Sequence, residues 1–116
     1  MTKEEILKKA KELGEALRES DEYKELLEAQ KALDEDEETQ KLLNKYNAKA
    51  QEIQLKQLTG ENISEGMKEL QELEEKIMNS ESMKKYTESE KNFKELIDSA
   101  NQEIVKAMEG EEEQKE

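Results

Sequence analysis

Asp34-Glu35-Asp36-Glu37-Glu38 is a dense run of oxygen ligands, and carboxylates gathered in this way could hold a divalent cation or share a proton. An EF-hand loop needs Gly at its sixth position and Glu at its twelfth. Counted from Asp34, those places hold Thr39 and Lys45, so the match fails. Helix capping explains the run instead, with Asp34 and Glu37 at capping-box spacing. General acid-base work by paired acids would need burial or like-charge proximity to separate their pKa values. The chain has 32 Asp and Glu but no His, Cys or Trp, so there is no base, nucleophile or stacking platform to join them. Absence of Cys and His also removes disulfides, iron–sulfur ligation and the usual zinc sites. The prediction is a protein that is not an enzyme, with no catalytic residue, no metal and no cofactor.

The basic clusters are Lys8-Lys9-Lys11, Lys84-Lys85 and Lys56. Glu4, Glu5 and Glu81 lie four residues before Lys8, Lys9 and Lys85, the spacing of ordinary surface ion pairs. A formal charge of −13 opposes binding to phosphate backbones. Direct nucleic-acid binding is therefore not expected. No apolar run is long enough to cross a bilayer or to form a signal-peptide core, which predicts a cytoplasmic protein without membrane contact.

The elements that would carry these residues are helices. Proline is absent, and Leu, Glu, Lys, Gln and Ala fill most of the 116 positions. Charged residues make up 44%, a balance that could mean disorder, so the apolar periodicity must carry the case for folding. Thr39, Leu43, Tyr46, Ala50, Ile53 and Gln57 recur at alternating spacings of four and three, as one helix stripe requires. Ile63, Met67, Leu70, Leu73 and Ile77 repeat the rhythm, and Met83, Tyr86, Glu90, Phe93, Ile97, Ala100 and Ile104 continue it. Glu90 on that seam should lie near water or the end of a partner helix.

In chain order, Thr2 caps a first helix whose stripe is Ile6, Ala10, Leu13 and Leu17. Gly14 beside that stripe suggests close approach of another helix or a tolerated exposed glycine. Ser20 should cap a short second helix bearing Tyr23, Leu26, Leu27, Gln30 and Leu33. A third helix runs from about Glu35 to Leu58, opened by Asp34 and Glu37. Gly60 ends it in the left-handed region. Asn62 or Ser64 caps the fourth, to Met78, with Asn62 and Glu65 at capping-box spacing. The segment Asn79-Ser80-Glu81-Ser82 interrupts the pattern before a last helix that ends near Met108. Residues 1–109 form one helical domain, and 110–116 should be an acidic disordered tail.

The expected fold is all-α: a long antiparallel helical hairpin of coiled-coil character with short N-terminal helices. With 3% aromatic residues it is a thin seam with little core. Self-association is the natural remedy, so a homo-oligomer, either dimer or tetramer, is predicted. Its oligomer and partner interface is assigned to Tyr46, Ile53, Lys56, Gln57, Leu58, Met83, Tyr86, Phe93, Ile97 and Ile104. Lys56 could face a partner or pair with the helix C-terminal dipole.

Ala10 to Gly14, Glu19 to Tyr23, the acidic step at Asp36-Glu37 and Gln54-x-Lys56-Gln57-x-x-Gly60-Glu61, in this order, resemble the YlbF/YmcA family of small helical bacterial proteins. The likeness spans about Ile6 to Ile104. It implies an all-helical fold with a long antiparallel hairpin, assembled as dimers or higher oligomers. It also implies a regulatory role in competence, sporulation and biofilm formation, in a complex that associates with an endoribonuclease. Some members hold iron–sulfur clusters through cysteines, and this chain, without Cys, looks like a cysteine-free branch. The expected function is thus that of a regulatory adaptor binding an unidentified protein. The rival reading is an RNA- or metal-handling protein using its lysine and carboxylate clusters.

Overall fold

A computed structural model describes residues 1–110, and over them the chain is all-α with no strand. The five helices among the described residues are α1 (Lys3–Arg18), α2 (Asp21–Glu35), α3 (Glu37–Leu58), α4 (Ser64–Met78) and α5 (Glu81–Glu109). Residues 111–116, most of the predicted acidic tail, lie outside the described residues.

Short polar side chains set the helix boundaries. Thr2 Oγ1 accepts from the Glu5 N–H at 3.2 Å and opens α1. Ser20 acts at both sides of the first break: its hydroxyl donates to the Leu17 carbonyl at 2.6 Å and accepts from the Tyr23 N–H at 3.1 Å. Ser80 opens α5 in a similar way, accepting from the Met83 N–H at 3.1 Å. Two expected caps are corrected. The α3 cap is Asp36 rather than Asp34, because Asp36 Oδ1 accepts from the Thr39 N–H at 3.2 Å. For α4 the N-cap is Ile63, without a side-chain cap, while Asn62 Oδ1 accepts from the Ser64 N–H at 2.9 Å in a tighter local turn.

Gly60 ends α3 as its type requires, with φ of 77°. The Glu61 N–H donates to the Lys56 carbonyl at 3.0 Å and the Gly60 N–H to the Gln57 carbonyl at 3.3 Å. This pair of bonds is a Schellman motif, which satisfies carbonyls that the helix leaves unpaired.

The chain divides into two compact units. One is Ala29–Thr87, and the other is Met1–Glu28 with Glu88–Glu116, described as far as Gly110. In the first, Ala29, Leu33, Ile53 and Ile77 are the buried apolar side chains, and Thr39, 2% exposed, is more deeply buried than any of them. Helices α3 and α4 pack on one another in this unit. A Cβ added to Gly66 would meet Ile53 Cγ1 at 3.1 Å, so the missing side chain lets the α4 backbone come up against Ile53. In the second unit, the Tyr23 and Phe93 rings lie 5.1 Å apart at 51°, within the tilted range that aromatic pairs favour. None of its described residues is buried. Among the described residues nothing lies within 4 Å of a Cβ at Gly14, so none of their helices makes the close approach suggested for it. Glu90 is exposed to water while Ser89 beside it is half-buried, so the seam carboxylate is not dry.

Candidate interaction surfaces

The unit Ala29–Thr87 holds three polar networks, two at helix ends and one between helix bodies. Asp36 is the hub of the first. Its Oδ2 accepts from Thr39 Oγ1 and from Ser82 Oγ, each at 2.7 Å. Ser80 and Ser82 hydroxyls stand 3.4 Å apart, and Gln40 Nε2 donates to the Leu33 carbonyl at 2.9 Å. Hydrogen bonds from Ser82 and then Thr39 hold the Asp36 carboxyl below its ordinary pKa. Those donors are aimed at the charged form, which is why the group stays ionised. Such a carboxylate is a structural tie, since all of its named partners are donors that orient it.

The second network joins α3 to α4. Lys49 pairs with Glu69 across the two helices and with Glu52 at 3.2 Å, and Lys56 reaches Glu52 at 3.2 Å. The Glu69 hydrogen bond, followed by that of Glu52, raises the Lys49 pKa. Hydrogen bonds from Lys49 and Lys56 lower that of Glu52. The third network is the turn after α3, where the single Thr59 Oγ1 proton is shared between Glu61 Oε2 at 2.7 Å and the Lys56 carbonyl at 3.1 Å. Lys56 therefore serves the turn through its carbonyl and Glu52 through its ammonium.

The residues assigned to an interface from the sequence fall into different environments. Ile53 is buried against Gly66. Tyr46, Lys56, Met83, Tyr86, Phe93 and Ile97 are half-buried, whereas Gln57, Leu58 and Ile104 are exposed. Leu58 is 80% exposed and Leu55 66%, so an apolar pair stands in water beside the Schellman turn. The sequence assignment omitted Leu55, Met67 and Gly66. A signal for the first two existed, because Leu55 lies off the narrow stripe and widens its face, and Met67 is a member of the stripe that begins at Ile63.

In the other unit, a solvent-open groove of about 520 Å³ is lined by Asp21, Glu22 and Glu25 of α2 and by Asn92, Glu95, Leu96 and Ser99 of α5. Its lining is acidic with one apolar member. The helix α1 of this unit has no buried residue, and Ile6, Leu7 and Leu13 are exposed on it. No group of three or more His, Cys, Asp or Glu is placed to hold a metal ion among the described residues. Among the same residues no helix is long and apolar enough to cross a membrane.

Over the described residues these features define an all-helical protein in which short polar side chains cap the helices and a few polar and ionic contacts tie them together. The chain belongs to the YlbF/YmcA family: the family model described as "Control of competence regulator ComK, YlbF/YmcA" matches residues 6–109. A regulatory role fits that description. No curated protein and no solved structure matches the chain.

Proposed function

We propose that the chain is a non-enzymatic regulatory adaptor of the cytoplasm, a homo-oligomeric helical scaffold that acts by contact with another protein. The observation that carries this reading is the exposure of large apolar side chains in a family of regulators: Leu55, Leu58 and Met67 in one unit, Ile6, Leu7 and Met108 in the other. Leu55 and Leu58, three residues apart on α3, form an exposed apolar pair of the kind that protein-binding sites use. Pairing of Ile53 with Gly66, Lys49 with Glu69 and Asp36 with Ser82 supports an antiparallel, coiled-coil-like hairpin. That hairpin presents the turn at Lys56 to Glu61, with Leu58, as its recruiting tip. The family description points to competence as the controlled process. Sporulation, biofilm formation and an associated endoribonuclease complete the proposal by resemblance.

Affinity capture from the source cell tests it. A specific partner should co-purify with the wild-type chain and be lost with Leu55→Glu/Leu58→Glu, whose exposed positions leave the fold intact. A salt-resistant absence of any partner, or capture indifferent to the tip, would contradict it.

A further inference from the structure

Helix α1 is the most exposed of the five helices among the described residues. Every residue of it is exposed except the half-buried Leu17. At 3.6 residues per turn, Ile6, Leu7, Ala10, Leu13, Gly14 and Leu17 share one face. Lys3, Lys9, Lys11 and Arg18 fall within that face or along its edges. Glu4, Glu5, Glu12 and Glu15 fall on the opposite side, together with Lys8. The apolar face of α1 is thus rimmed by positive charge in a chain whose formal charge is −13. A lone amphipathic helix of 16 residues is marginal in water unless its apolar face is covered.

The same unit carries the complementary surface. Asp21, Glu22, Glu25 and Glu95 line an open groove with Leu96 in it. Cations flanking an apolar stripe on α1 match carboxylates flanking the apolar side chain of Leu96 in the groove. Among the described residues Gly14 has nothing within 4 Å of its absent Cβ, which leaves the α1 backbone open to close approach.

Resting on the scaffold reading above, we infer that α1 of one copy docks its lysine-rimmed apolar face on the acidic α2–α5 groove of a second copy. A second copy satisfies the match without any further component, since each chain carries both halves. Two copies related by a twofold axis then exchange α1 reciprocally, and the contact closes. Electrostatic matching of this kind fixes register and partner choice, while the apolar stripe supplies most of the burial.

Sedimentation equilibrium of the full chain tests the inference by charge reversal. Lys9→Glu/Lys11→Glu and Glu25→Lys/Glu95→Lys change only exposed residues away from helix first turns, and circular dichroism checks that each remains helical. Each pair alone should weaken self-association about tenfold or more. Mixing the two variants in one chain should recover most of the loss, because the reversed charges again match. Self-association of the wild type that is indifferent to either pair, or that the combination does not recover, overturns the docking assignment while leaving the scaffold reading in place; a different protein would then be the occupant of α1. A wild-type chain that stays monomeric overturns both.

Discussion

Ser82, in the first turn of α5, donates a 2.7 Å hydrogen bond to Asp36, the residue that caps α3, across 46 positions of sequence. The same carboxylate holds Thr39, the most buried side chain among the described residues. The α2–α3 break and the start of α5 are thereby tied at one acid. Ser82→Ala removes one donor to an ionised acceptor and should cost about 1–2 kcal/mol, or roughly 5 °C in thermal midpoint for a chain of this length. Thermal unfolding followed by circular dichroism measures it, and an unchanged midpoint would remove the tie from the account.

Acid should loosen the same unit. Asp36 and Glu52 both titrate below their ordinary values in the folded chain. A carboxyl depressed in this sense contributes its stability above the unfolded pKa and loses it as pH falls through the folded one. The loss should therefore begin near pH 4 and grow below it. Lys49 is raised, so its contribution is complete below its unfolded pKa and is lost only in strong alkali. Denaturant titrations between pH 7 and pH 3 should show the fall for the wild type and a smaller one for Asp36→Asn.

Two glycines inside helices should respond in opposite directions. At Gly66 any side chain larger than a methyl must displace the buried Ile53, so Gly66→Leu should destabilise by about 1–3 kcal/mol. Ile53→Ala, which empties the same contact, should cost about 2–5 kcal/mol. Gly14→Ala meets nothing among the described residues and should add up to about 1 kcal/mol to α1 through helix propensity alone. Equal responses at the two sites would show that α3 and α4 do not approach as closely as described.

Nucleic acid offers a further check on the proposed function. With a formal charge of −13, the chain should retain no single-stranded RNA in a filter or shift assay at low salt, where electrostatic binding is strongest. Retention that weakens steeply with added salt would favour the lysine clusters as a phosphate site over the adaptor reading.

The helix positions were legible because period, capping residues and Gly60 all act locally. Ser20, Ser80 and Gly60 each bond within a few residues of themselves, so their roles can be read from neighbours in the chain. Two acids only two residues apart, Asp34 and Asp36, satisfy the same capping preference, and local pattern selects between them poorly. What decides for Asp36 is that its carboxylate holds Thr39 and also meets Ser82, a partner far along the sequence. Gly14 and Gly66 look alike in sequence, and only the neighbour Ile53 distinguishes them. The interaction surface was harder still, since a helical stripe does not say which members are spent inside. Ile53 is consumed against Gly66, while Leu55, off the stripe, stands in water.

The scaffold reading is tested most directly by the mass of the wild-type chain in solution. Multi-angle light scattering at micromolar concentration should give a dimer or a larger closed assembly with the helical signal intact. A fully helical species at the monomer mass of 13.5 kDa would contradict it.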